Sequence, residues 1–218
     1  VLTVEVTDMG GAGFSDVADI TISVSPNVLP IAVDDAVSTD EDTSLGIDVL
    51  ADNGNGADSD PDGDDALLSV TAFDATSALG ATIMHQVDGS LLYNPTGVAA
   101  FQALGVGTAT IDTFTYQVGD ADSGTDSATV TITVSGVNDM PTAMNDERAT
   151  DEETAITFDP LSDNGNGADS DQDTGDVLNV SDVDATSNFG ATVMLNGNGT
   201  VSYDPRTSAT LQALSATD

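Results

Sequence analysis

Short alternating runs dominate this chain. Apolar and polar positions alternate over Ala32–Val37, Thr43–Val49, Leu67–Phe73, Ala81–His85, Ser90–Asn94, Thr110–Val118 and Ser127–Ser135. A period of two in runs this short, rich in Val, Thr, Ile and aromatics, predicts half-buried β-strands. Gly, Asp, Asn and Pro fill the gaps, and Asp88-Gly89 and Asn198-Gly199 predict tight hairpin turns. Gly97–Leu104 is the one stretch whose pattern suits a helical turn. Seven strands within roughly 110 residues match the size of an Ig-like Greek-key sandwich. With no cysteine and no tryptophan, an antibody-type core is excluded.

The pattern then repeats. Pro30-Ile31-Ala32 returns as Pro141-Thr142-Ala143, Thr39–Thr43 as Thr150–Thr154, and Asp52–Asp60 unchanged as Asp163–Asp171, each 111 residues later. After a one-residue slip, Asp74–Ser77 returns as Asp184–Ser187 and Tyr93-Asn94-Pro95 as Tyr203-Asp204-Pro205. Leu2–Val6 and Ile20–Val24 parallel Phe114–Val118 and Val130–Val134. The expected organisation is all-β: tandem seven-stranded Ig-like or cadherin-like Greek-key sandwiches in a linear array. Residues 1–26 would be the last two strands of a preceding repeat, 27–137 a complete repeat, and 138–218 a second repeat lacking its last two strands.

Charge narrows the function. There are 38 acids against two cations, Arg148 and Arg206, for a formal charge of −36. Only Glu5, Glu41, Glu147, Glu152 and Glu153 are glutamates; the other acids are short aspartates, suited to turns and metal loops. Such a field repels nucleic acid and anionic membranes and attracts divalent cations. No apolar run reaches the roughly 18 residues of a membrane span, so direct membrane insertion is not expected. Halophilic adaptation competes as a source of acidity, but it would spread acids over strand faces, whereas these gather mostly in loops. Without Met at Val1, the sequence reads as a segment of something longer.

The densest acidic loop is Asp58-Ser59-Asp60-Pro61-Asp62-Gly63-Asp64-Asp65, repeated as Asp169-Ser170-Asp171-Gln172-Asp173-Thr174-Gly175-Asp176. Aspartates at alternate positions before a glycine supply oxygen ligands for Ca²⁺. An EF-hand is excluded, because its twelfth position falls on Ser69 rather than a glutamate. A solvated acidic turn is the competing reading. Counting strands up and down sorts the other acids by end. Asp40 and Glu41, the linker residues Asn138 and Asp139, and the second loop with Asp169, Asp171 and Asp173 should meet at one junction, and Asp176 at the end of that loop is a further candidate ligand. Asp120 and Asp122 should lie with Asp58, Asp60, Asp62 and Asp64 at the other end, and Asp151 and Glu152 repeat Asp40 and Glu41. At the earlier junction Asn27 is present, but Val28 replaces the aspartate, so fewer or weaker ions are expected there. Asp34, Asp35 and Asp146 read equally well as ligands or as edge-strand charges.

Tyr93-Asn94-Pro95, Phe101–Leu104, Ile111–Tyr116, Ala128–Val134 and Val137-Asn138-Asp139-Met140-Pro141 together resemble the VCBS and cadherin-like repeats of giant bacterial RTX adhesins. The resemblance implies calcium-binding extender modules, exported by type I secretion and displayed at the bacterial cell surface, with Ca²⁺ stiffening the linkers between neighbouring repeats of the same chain. The alternative is a protomer of an extracellular filament or matrix, in which Val1–Val24 completes another copy by strand addition. An enzyme is not expected: there is no nucleophile–His–acid set, phosphate loop or zinc cluster, and His85 is the only histidine. Met84 and Met194 read as core filler, and Tyr93 and Tyr203 as packing and turn residues.

Overall fold

The computed structural model describes residues 2–7, 15–20, 22, 26–63 and 65–214. An antiparallel hairpin comes first, β1 (Leu2–Thr7) with β2 (Ser15–Ile20). The complete unit follows: β3 (Asp35–Asp40), β4 (Leu45–Ile47), β5 (Ser69–Phe73), β6 (Thr82–His85), β7 (Leu91–Asn94), β8 (Ala109–Gly119) and β9 (Thr125–Ser135). One sheet runs β3-β9-β8-β5 and the other β4-β7-β6. All pairs are antiparallel except β3 with β9, which is parallel. This is an Ig-like sandwich.

Two long strands carry about half of the core. Phe114, Tyr116 and Val118 on β8 and Ala128, Val130, Ile132 and Val134 on β9 alternate inward. Their partners from the facing sheet are Ile47, Ile83, Leu91 and Tyr93, closed at one end by Phe101. Alternation of period two, with one face buried, leaves a single register that puts all these side chains inside.

The strand boundaries differ from the pattern where side chains capture backbone groups. β3 starts at Asp35 rather than Ala32, because Ile31 pairs with Ser59 and the Val33 N–H donates to Asp58 Oδ1 at 2.7 Å. β4 stops at Ile47, where Asp48 Oδ1 accepts the N–H of Leu50 and turns the chain. Residues 97–104 form successive turns, with Phe101 N–H bonded to the Val98 carbonyl and the Phe101 ring wholly buried. Met84 and Met194 are not core filler: they are 49% and 56% exposed, on the outward side of their strands. His85 stacks on Phe73, with ring centroids 6.2 Å apart.

The next unit repeats the smaller sheet. β10 (Ile156–Phe158), β12 (Val201–Asp204) and β11 (Thr192–Leu195) take the order β10-β12-β11, matching β4-β7-β6. The isolated bridges recur too, Ile31 with Ser59 as Thr142 with Ser170. No strand is found at the positions equivalent to β3 and β5. In the complete unit those two strands hydrogen-bond only to β9 and β8. Among the described residues nothing after β12 supplies such partners, and a lone strand has no ladder to join.

Candidate metal centre

Where the complete unit meets the next, three acids from three segments converge. Glu41 follows β3, Asp139 lies in the linker after β9, and Asp173 belongs to the second aspartate loop. Their ligand oxygens lie within 4.8 Å of one another, and Asp171, Asp173 and Asp176 form a second such group sharing Asp173. Backbone bonds hold the arrangement. Glu41 Oε1 accepts the Val137 N–H at 2.8 Å, and Asp173 Oδ2 accepts the Asp139 N–H at 2.9 Å. Asp171 Oδ1 accepts the Asp173 N–H at 3.0 Å, folding the loop back on itself. Outside the acids, the Thr174 N–H donates to the Ala103 carbonyl at 3.1 Å and Gln172 to Gln102 Oε1 at 3.2 Å.

Each of the three acids uses one oxygen, or none, on a protein donor and leaves another buried. Glu41 Oε2, Asp139 Oδ2 and Asp173 Oδ1 are shielded from solvent and have no hydrogen-bond partner. Glu41 is wholly buried and Asp173 is 4% exposed. Burial pushes the Glu41 carboxyl above its ordinary value, and the charges of Asp139, Asp173 and Asp42 push it further, against the Val137 N–H. Asp139 is raised first by burial and then by Asp173, Asp42 and Asp171. Buried polar groups ordinarily find partners, so an orphaned carboxylate oxygen on each of three converging acids calls for a positive charge. All-oxygen, all-carboxylate donors suit a hard cation and not a soft transition metal. The residues fit a divalent ion.

The other predicted ligands are placed as follows. Asp40 Oδ1 accepts the Asp42 N–H and shapes the turn that presents Glu41. Asn138 is exposed and its amide donates to the Asp139 carbonyl. Asp58 and Asp169 turn inward instead of joining the loop acids: Asp58 Oδ1 takes the Val33 N–H and Asp169 Oδ1 the Met144 N–H, both at 2.7 Å. Asp151, held low by the Thr154 hydroxyl and the Glu153 N–H, and Glu152 belong to no three-acid group among the described residues.

At the far end of the complete unit the loop holds the linker in the same way, but the described acids do not converge. The Val28 N–H donates to Asp62 Oδ2 at 2.9 Å, as Asp139 does to Asp173. Asn27 donates to Asp120 Oδ2 at 3.0 Å, and Asp120 Oδ1 also accepts from Asp122 and Gly124. The Asn27 amide and these N–H groups hold Asp120 below the usual carboxylate range. Asp122 is exposed. Asp60 is buried, its pKa raised by that burial, and its Oδ2 has no partner. Asp64 lies outside the described residues. No three-acid group occurs here among the described residues, and valine supplies no carboxylate at position 28.

One buried acid is not singled out by the sequence, and another is left open between ligand and edge-strand charge. Asp112 is buried on β8 and accepts from Ser77, from Tyr93 Oη at 2.8 Å, and from the N–H groups of Leu79 and Thr113. Its place two residues before Phe114 on an inward-facing alternation was the available signal. The acid left open is Asp35, which is buried at the start of β3 with one oxygen unpartnered. Among the described residues no helix is long and apolar enough to cross a membrane.

A family model described as a bacterial cadherin-like domain matches residues 27–136, and one described as a bacterial Ig domain matches residues 138–217. No curated protein matches the chain.

Proposed function

Because the chain belongs to the bacterial cadherin-like domain family, we propose that it is a calcium-stiffened extender segment of a large bacterial surface adhesin. The observation that carries this is the group of Glu41, Asp139 and Asp173, drawn from two units and the linker between them, with three buried oxygens lacking partners. An ion bound there would tie the end of β3, the linker and the second loop into one coordination sphere. Each repeat's partner is then its neighbour in the same chain. Ions that bind only the ordered junction stabilise it by RT ln(1 + [L]/Kd). Extracellular modules bind Ca²⁺ with Kd of about 10⁻⁴–10⁻³ M, so the junction would fill outside a cell and not in the cytosol. A chain that is loose before export by type I secretion and stiff after it follows from that difference.

The test is calorimetric unfolding of the 218-residue chain in EDTA and in millimolar Ca²⁺, alongside small-angle scattering. A higher Tm and a longer, narrower particle with Ca²⁺ are expected. Stabilisation by molar salt with no response to Ca²⁺ would assign the acidity to halophilic solvation instead.

A second reading is strand addition between copies, as in a filament. It is favoured by apolar side chains on the first hairpin, with Val6 66% and Val17 57% exposed. Light scattering that finds only monomer over a wide concentration range, with Ca²⁺ present, removes it.

A further inference from the structure

Asp35 and Asp58 form a second acidic feature, away from the junction group and inside the sandwich. Asp35 is 2% exposed and Asp58 7%. Asp35 Oδ1 accepts from the Asn53 amide at 2.9 Å, whereas Asp35 Oδ2 is buried with no partner. Asp58 Oδ1 and Oδ2 lie 3.1 and 3.0 Å from Tyr116 Oη. The same hydroxyl lies 3.1 Å from the carbonyl oxygens of Val33 and Val49. A phenol has one proton to give, so four acceptor oxygens crowd a single donor, while the orphaned oxygen of Asp35 meets no donor at all.

Asp112 shows what a structural buried carboxylate looks like in the same domain. Both its oxygens receive two donors each, and it lacks nothing. The Asp35 side of the core has the opposite imbalance, with two carboxylates, two carbonyls and too few protons. The imbalance recurs 111 residues on. Asp146 Oδ1 is buried without a partner, Asp169 Oδ1 takes the Met144 N–H as Asp58 takes that of Val33, and both acids line one open cavity of about 480 Å³.

We propose that each repeat holds a hard divalent cation of the calcium class within the sandwich, bound by Asp35 and Asp58 with the Val33 and Val49 carbonyls, and by Asp146 and Asp169 in the next repeat. Two carboxylates balance one divalent charge, and carboxylate and carbonyl oxygens are the donors such ions take. The ion would pin the segment before β3 to the aspartate loop, inside one repeat rather than between two. This gives Asp58 and Asp169 a role distinct from that of the loop acids that follow them.

Equilibrium dialysis with Ca²⁺ alone on the full 218-residue chain tests this, comparing the wild type with Asp35→Asn, Asp146→Asn and the junction variant Glu41→Gln. Loss of one ion in each Asp→Asn variant, with the Glu41-dependent ion retained, is expected; unchanged stoichiometry in both overturns the proposal. Terbium emission excited through tyrosine is a second measurement that does not depend on a variant at the site's acids. It should survive Glu41→Gln and fall several-fold in Tyr116→Phe, because the Tyr116 hydroxyl borders the ion. Emission unchanged by Tyr116→Phe also overturns it. Loss of one ion in each Asp→Asn variant with none lost in Glu41→Gln would sink the junction reading and leave this one standing.

Discussion

The backbone N–H of Asp139 donates to Asp173 Oδ2 at 2.9 Å, and 111 residues earlier the N–H of Val28 donates to Asp62 Oδ2 at the same distance. The loop therefore grips the linker through main chain, whatever the linker side chain. What differs is the carboxylate that Asp139 adds beside Glu41. The grip is common to both positions, and the charge that calls for a cation is concentrated at the second.

Neutralising that charge should separate folding from calcium response. Glu41→Gln and Asp173→Asn each remove one carboxylate from the three-acid group. In EDTA both variants should be as stable as the wild type or more so, because a buried like charge has gone. In millimolar Ca²⁺ both should lose the part of the Tm gain that the junction ion supplies. Val28→Asp should do the reverse at the first position, adding bound calcium without altering the hydrogen bond of its N–H.

Acid should stabilise the chelated protein before it destabilises it. Burial, helped by the charges of Asp58 and Asp34 and opposed by the Asn53 amide, lifts Asp35 from 3.8 to about 6. A raised carboxyl binds its proton more tightly folded than unfolded, so its stability contribution is full below pH ~3.8 and is lost as pH rises through ~6, on the order of 3 kcal/mol in all. Asp52, Asp74 and Asp120 are lowered, so their contributions vanish at still lower pH. Urea unfolding in EDTA should therefore show a higher midpoint near pH 5 than at pH 7, and Asp35→Asn should flatten that rise.

Tyr93→Phe isolates a hydrogen bond from packing. The ring is wholly buried and its hydroxyl donates to Asp112, so removing the oxygen leaves a buried carboxylate short of one donor. A cost of about 1–3 kcal/mol is expected in EDTA and in Ca²⁺ alike, read as a shift in the urea midpoint.

Gly136→Ala should disturb the junction without touching an acid. A Cβ at Gly136 would stand 2.0 Å from the Leu104 carbonyl oxygen and 2.6 Å from that of Gly105, both backbone atoms with little freedom to move. The next residue, Val137, gives its N–H to Glu41. The variant should lower both Tm and calcium affinity, whereas Gly46→Ala, with nothing within 4 Å of the new Cβ, should leave calcium affinity alone.

The alternation in Thr110–Val118 and Ser127–Ser135 was enough to predict β8 and β9, because a period of two fixes which face is buried before any partner is known. The 111-residue recurrence likewise foretold that Glu41, Asp139 and the second aspartate loop would be neighbours, since linker and loop ends follow from strand count. Local pattern could not say which aspartates gather at the junction and which face the core. Asp58 and Asp60 are two residues apart in one acidic run, yet Asp58 bonds the Tyr116 hydroxyl 58 positions away and Asp60 keeps a buried oxygen unpartnered. That choice depends on which donors a distant strand brings up. It also decided that Asp112 is a satisfied carboxylate, and that Met84 and Met194 face outward. The sequence by itself determined the strands, the repeat and the ends at which acids gather. Tertiary structure alone decided how many donors each buried oxygen meets, because donors and acceptors are matched by segments far apart in the chain.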